Sequence, residues 1–171
     1  MVIIYHNPLW SKSRKSVEIL EEKKMNYTIK SPETKQEWEK YYAFRWELLR
    51  KPWNMPLDSL KDDLEDQSFH LIALSKNKEV IGSGRLHLIN ANEAQIRYMA
   101  VSDKIRRKGL GSKILIELEK EATLKKVNKI ILNARNAAVE FYKALNYNEK
   151  GPYLSDTGIP HTRMEKELNL K

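Results

Sequence analysis

The spacing of hydrophobic and polar positions changes several times along this chain of 171 residues, and each change predicts an element. Phe69–Leu74 and Val80–Leu88 read as strands, joined by Lys76-Asn77-Lys78, a turn suited to a hairpin. A third strand follows the turn at Asn90–Asn92. In it Ile96, Tyr98 and Ala100 are expected on one face and Arg97, Met99 and Val101 on the other. From Gly111 the period becomes helical, with Ile114, Leu115, Leu118, Ala122 and Leu124 along the apolar side. Lys129–Asn133 reads as a strand that the intervening helix allows to lie parallel to Ile96–Val101. A helix over Ala137–Leu145, capped by Asn133 or Asn136, and a hairpin of Tyr147–Tyr153 with His161–Leu168 complete this half. Upstream, Tyr27–Lys30 predicts a strand and Ser31-Pro32-Glu33 the start of a helix running to Arg50, with Pro at its first position. Trp38, Tyr41, Tyr42, Phe44, Arg45, Trp46, Leu48 and Leu49 recur along that helix at helical spacing, and Asp58–Leu64 suits a second, short helix. The fold class is therefore α/β (α+β), a mixed, mostly antiparallel central sheet flanked by helices.

The stretch Gln95–Glu121 combines a strand, a basic turn with two glycines and a helix. The backbone N–H groups of Lys108 to Ser112 precede the first intrahelical hydrogen bonds and are free to point at an anion. Gly109 and Gly111 permit close approach, and Arg106, Arg107 and Lys108 add positive charge. The same residues also suit a plain tight turn with a solvated basic face. Gly82 and Gly84, inside a strand, predict a bulge or a close approach to the backbone.

Composition narrows the chemistry. The absence of cysteine excludes a disulfide framework, thiolate metal sites and a cysteine nucleophile. Four scattered histidines show no ligand spacing, so no metal is expected. No apolar run is long enough to cross a bilayer, so no membrane partner is expected and the cytoplasm is the default compartment. A net charge of +8 suits an anionic partner without choosing among nucleic acid, acidic lipid and a polyanionic coenzyme.

The segment Arg106-Arg107-Lys108-Gly109-Leu110-Gly111, preceded by Met99-Ala100-Val101, resembles the acetyl-CoA-binding segment of the GNAT N-acetyltransferases. NARNAAVEFYKALNYNEKG resembles their second motif, and the element order agrees from about residue 27 to residue 168. The resemblance implies a GNAT acyl-CoA N-acyltransferase fold over residues 27–171, with acetyl-CoA as co-substrate and an amine as acceptor. It implies that Arg106, Arg107, Lys108, Gly109, Leu110, Gly111 and Ser112 hold the pyrophosphate. The backbone of Met99, Ala100 and Val101 would bond pantetheine and support the developing oxyanion, with Asn133 or Asn136 assisting. Tyr142 is the implied general acid for the departing thiolate. Gln95 occupies the place of the glutamate base of histone-type members, Glu93 lies two residues earlier, and His87 and Glu47 are further candidates. The family's usual Gly is Asn146 here, the residue type that best tolerates a left-handed cap. A non-catalytic acyl-CoA sensor is the alternative function, and a basic nucleic-acid-binding module ranks third because no nucleic-acid motif is present.

Residues 1–26 read as a strand over Val2–Tyr5 and a helix to about Lys24. Residues 1–27 resemble the opening strand and helix of the arsenate reductase family, with Trp10 in place of the nucleophilic cysteine. Without that thiol the family's chemistry is lost, and a strand–helix extension is the expectation. Its free strand edge would serve a homodimer.

Overall fold

The computed structural model describes residues 26–155 and 158–169. The strand–helix expected over residues 1–26, its resemblance and the dimer edge it would offer lie outside the described residues. Seven strands form one sheet in the order β1-β2-β3-β4-β5-β7-β6. They are β1 Tyr27–Lys30, β2 Phe69–Ser75, β3 Val80–Leu88, β4 Glu93–Val101, β5 Lys129–Arg135, β6 Asn148–Leu154 and β7 Pro160–Glu167. All neighbours run antiparallel except β4 and β5, which are parallel. Among the described residues three α-helices accompany them, α1 Lys35–Leu49, α2 Leu110–Leu124 and the short α3 Val139–Lys143.

Helix α1 starts later than proline placement predicts, because Thr34 forms the stronger cap. Glu37 donates its N–H to Thr34 Oγ1 at 3.2 Å, and its carboxylate accepts the N–H groups of Glu33 and Thr34. This reciprocal capping box leaves Pro32 outside the helix. No second α-helix forms over Asp58–Leu64. The chain instead makes three single 3-10 turns at Lys51–Trp53, Leu57–Leu60 and Glu65–Gln67, the first of them opened by Pro52.

One face of the sheet is covered by α2, whose Leu110, Ile114, Leu115, Leu118 and Ala122 are buried with Leu71, Leu86, Ile96 and Ile130. Leu124 is 78% exposed rather than part of this stripe, since the helix ends at its own position. The other face of β2 and β3 is covered by α1, where Tyr41 packs with Ile72 and Leu74.

The glycines of β3 let α2 lie close to the sheet. A Cβ on Gly82 would fall 2.6 Å from Ile114, and one on Gly84 would fall 2.8 Å from both Leu118 and Met99. Opposite Gly84 the register of β4 slips by one, so that Tyr98 and Met99 together face a single residue of β3. Tyr98 sits at φ 55° within this bulge. The bulge overturns the expected alternation. Met99 and Val101 join Ile96 on the α2 face, while Tyr98 shares the opposite face with Arg97.

At the far end, Asn146 follows α3 with φ 67°, as its left-handed tolerance predicts. Neither Asn133 nor Asn136 caps α3. Asn133 lies inside β5, Asn136 opens a 3-10 turn, and the position before α3 is Ala138.

Candidate active site

The turn into α2 is built around two left-handed residues, Arg107 at φ 63° and Gly109 at φ 81°. Nothing lies within 4 Å of a Cβ added at Gly109, so conformation rather than space requires glycine there. Gly109 is the N-cap, no side chain caps the helix, and the first bond of the ladder runs from Lys113 N–H to the Gly109 carbonyl. Among the described residues, the N–H groups of Arg107, Lys108, Gly109, Leu110, Gly111 and Ser112 therefore have no hydrogen-bond partner. Leu110, 1% exposed, pins the turn to the core, and Gly111 packs against Phe141 and Val101. Arg106 is already committed to Asp103 at 2.8 Å. Arg107 and Lys108 are exposed and form no ion pair with a described residue. Six orphaned donors, two unpaired cations and the positive end of a fifteen-residue helix make an anion-binding surface.

Beside this turn the sheet opens. Strands β4 and β5 pair from Glu93↔Lys129 to Ile96↔Leu132 and no further. Beyond that point β4 stays with β3, and Asn133–Arg135 stay with β7. Residues 97–101 and 133–135 thus line a gap inside the sheet, and the bulge at Tyr98 directs β4 away from its parallel neighbour. The Ser83 hydroxyl holds the Tyr98 carbonyl at 3.0 Å and fixes the bulge. Arg135 projects from β5 to the Leu49 carbonyl at the end of α1, at 3.4 Å, and to the Trp53 ring.

On the α1 face of the gap lies a buried charged cluster that composition does not announce. The Tyr98 ring is surrounded by guanidinium groups, with Arg45 at 3.7 Å from its centroid, Arg85 at 4.8 Å, Arg97 at 5.2 Å and Arg50 at 5.5 Å. Glu65, 5% exposed, binds both Arg45 and Arg85. Asp62 takes two hydrogen bonds from Arg85, at 2.7 and 2.8 Å, and one from Arg97 at 3.1 Å. Burial alone would raise the Asp62 pKa; the Arg85 and Arg97 contacts override it and hold the carboxyl at about 2. His70 donates Nε2–H to the Glu65 carbonyl and accepts from the Tyr41 hydroxyl, an arrangement that requires the neutral ring. His87 is 6% exposed, and its Nδ1 has no partner among the described residues. Burial first, then the charges of Arg85 and Arg97, press its pKa down to about 4.

The expected catalytic residues occupy unequal positions. Tyr142 is 7% exposed, stacks edge-on with Phe141 and Tyr147, and has no hydrogen-bond partner among the described residues. Burial pushes its phenol well above the ordinary value. Gln95 stands beside His87 on the α1 face. Glu93 begins β4, five residues and about 16 Å of strand from Tyr98. It is ion-paired to Lys129 and accepts from Asn90, and these hydrogen bonds lower its pKa. Glu47 is an exposed partner of Lys51 beside a cavity of about 880 Å³ that no residue of the gap lines. Asn133 is half-buried at the gap, whereas the Asn136 amide oxygen accepts the Thr162 hydroxyl at 3.1 Å.

Residues 31–168 match the family described as the acetyltransferase (GNAT) domain. The chain belongs to the GNAT acetyltransferase family. It is 33% identical over 128 residues to the uncharacterized N-acetyltransferase YjcF of Bacillus subtilis (strain 168), covering 74% of this chain and 89% of that protein. Among solved structures, an aminoglycoside 6'-N-acetyltransferase complexed with coenzyme A superposes with a TM-score of 0.69 at 14% identity, over 82% of this chain and 96% of that one. Ard1 from Thermoplasma volcanium gives 0.68 at 20% identity, over 84% and 98%. The GNAT fold expected from the turn and second motif is therefore present, and this acetyltransferase is an enzyme rather than the alternative sensor.

Sequence reasoning missed Asp62, Glu65, Arg85 and Tyr98. A signal was present, because Arg45 sits on the apolar side of its helix with Tyr41, and Arg85 and His87 alternate with Gly84 and Leu86, which face α2.

Proposed function

We propose that this acetyltransferase uses acetyl-CoA and transfers the acetyl group directly to a primary amine. The observation that carries the reading is the set of six orphaned N–H groups, Arg107 to Ser112, beside the gap between β4 and β5. Arg107 and Lys108 with the N–H groups of Gly109, Leu110, Gly111 and Ser112 suit a pyrophosphate, while Arg106 shapes the turn through Asp103. The strand edges of Met99, Ala100 and Val101, with Asn133 across the gap, suit the amides of pantetheine as an added strand would. Acetyl-CoA supplies the thioester. The amine nitrogen forms a bond to the carbonyl carbon, the carbon–sulfur bond breaks, and the amine's extra proton leaves to water. Tyr142 gives its proton to the departing thiolate and recovers one from solvent; no described residue holds its hydroxyl, which suits that role.

Glu93 does not suit the base, being paired at the wrong end of its strand, and Gln95 can only orient water. The guanidinium groups around Tyr98 replace a base by disfavouring an ammonium beside them, so the amine reacts neutral.

The test is a thermal melt with and without acetyl-CoA. A ligand at about a hundred times its dissociation constant adds roughly 2.7 kcal/mol. An unchanged melting temperature at millimolar acetyl-CoA would reduce the cradle to a turn and end the reading.

A further inference from the structure

Resting on that reading, we infer that the acceptor is an amine that also carries an anionic group, a carboxylate or a phosphate. The inference comes from the charge balance on the α1 face of the gap. Five guanidinium groups, those of Arg45, Arg50, Arg85, Arg97 and Arg135, converge there on Tyr98 and Trp53. Among the described residues, two carboxylates, Asp62 and Glu65, pair with them. Counted over the described residues, five cations against two anions leave three positive charges without a paired carboxylate, and the nearby histidines add no negative charge.

The excess is concentrated on Arg50 and Arg135. Among the described residues neither pairs with a carboxylate. Arg50 donates to the Ser59 carbonyl at 3.1 Å and Arg135 to the Leu49 carbonyl at 3.4 Å. Burial first and then the charges of Arg50 and Arg106 depress the Arg135 pKa, the signature of a half-buried cation among cations. Arg97, whose side chain is 34% exposed, completes the rim. Deeper in, the Nε groups of Arg45 and Arg85 are buried without a partner among the described residues.

A protein that keeps guanidinium groups together against their repulsion gains most from a ligand that neutralises them. A polycationic acceptor meets the opposite field. Its ammonium groups would enter beside Arg50, Arg97 and Arg135, where Asp62 and Glu65 are already taken by arginines. A carboxylate or phosphate would take charge-assisted hydrogen bonds from Arg50 and Arg135 and hold its amine toward the gap. The cations this group would meet, Arg50 and Arg135, are not those left unpaired in the coenzyme cradle, Arg107 and Lys108, although Arg106 in that turn is near enough for its charge to reach Arg135.

Two measurements test this. In the first, protein saturated with acetyl-CoA is melted with millimolar glutarate, inorganic phosphate or spermidine, so that the cradle is already filled. At least one of the two anions should raise the melting temperature further, spermidine should not, and the shift should vanish in Arg50→Gln and survive in Arg50→Lys. In the second, coenzyme A release is followed with a thiol reagent, free of protein background because the chain has no cysteine. Substrates are matched pairs, namely glutamate, methionine and phenylalanine against their carboxamides, and phosphoethanolamine against ethanolamine. For at least one pair, kcat/KM should favour the anionic member by about tenfold or more, through KM, and Arg50→Gln should erase that preference. The carboxylate and phosphate arms identify the source. A normal acetyl-CoA shift with no anion effect, a preference for carboxamides or spermidine, or an Arg50→Gln defect confined to acetyl-CoA affinity would overturn the inference alone. Loss of the acetyl-CoA shift itself would overturn the transferase reading and this inference with it.

Discussion

The neutral, buried His87 ties the charged cluster to a measurable pH dependence. Its imidazole is 6% exposed and stands among Arg85, Arg97 and Asp62 and beside Gln95, with a folded pKa of about 4 against an ordinary 6.5. A depressed folded pKa means that the unfolded chain binds the proton more tightly. The contribution to stability is thus complete above about pH 6.5 and is lost as pH falls toward 4. Linkage with these two values gives a loss of roughly 1.8 kcal/mol between about pH 7 and pH 5. Solvent screening through the open side of the gap reduces this to about 1 kcal/mol. Carboxylates and His70 also titrate, so the assay is a difference: urea unfolding of the protein and of His87→Gln at both pH values. The native protein should lose about 1 kcal/mol more than the variant on acidification. Equal losses would refute the reasoning, because they would mean that His87 is either solvated or already protonated.

Three further outcomes follow from the same geometry. Glu65→Gln removes the carboxylate shared by Arg45 and Arg85 and should cost about 3–5 kcal/mol in urea unfolding, since two guanidinium groups would remain buried; a loss under about 1 kcal/mol would show that Asp62 alone suffices. Gly109→Ala has room for its methyl group but must hold φ 81°, so about 1–2 kcal/mol of strain should appear in stability, together with weaker acetyl-CoA binding by calorimetry. Tyr142→Phe should lower kcat about a hundredfold or more with little change in acetyl-CoA affinity or melting temperature, because the hydroxyl has no partner among the described residues; an unchanged kcat would remove Tyr142 from the chemistry.

The sheet and α2 were legible because their signals are local. Alternation, a glycine-bearing basic turn and an apolar stripe all act within about fifteen residues. Asn146 was legible for the same reason, its left-handed cap being a property of one residue and its helix. The phase of β4 after Arg97 was not. Nothing in QIRYMAV marks a bulge; its cause is Gly84 on the neighbouring strand, whose missing side chain lets Met99 and Leu118 close over β3. The second helix failed because Pro52 and Pro56 fix separate turns, and the segment is held by distant side chains such as Arg50 on Ser59. The cluster itself unites Arg45, Asp62, Glu65, Arg85 and Arg97 from four separate stretches, a tertiary association that no window of sequence contains.

That cluster and the bulge belong together physically. A regular strand would have put Tyr98 on the Ile96 face, under α2, and turned Met99 toward the arginines. Slipping by one residue instead places an aromatic face where it can lie against Arg45 and spread the charge of four guanidinium groups over one ring. The same slip parts β4 from β5 just beyond Ile96↔Leu132. One backbone event thus opens the gap for a thioester and lines its acceptor side with positive charge. Substituting Tyr98 by Ala tests the coupling, since it deletes the ring and the long hydroxyl bond to Asp62, at 3.4 Å, while keeping every ion pair. If the ring screens the arginines from one another, Tyr98→Ala should lose about 3 kcal/mol or more in urea unfolding, the usual cost of an aromatic truncation plus its cation–π contacts. High salt should restore part of that loss, because screening weakens the guanidinium repulsion that the ring had masked. A loss independent of salt would mean that Tyr98 acts by packing and its bond to Asp62, and does not screen the arginines from one another.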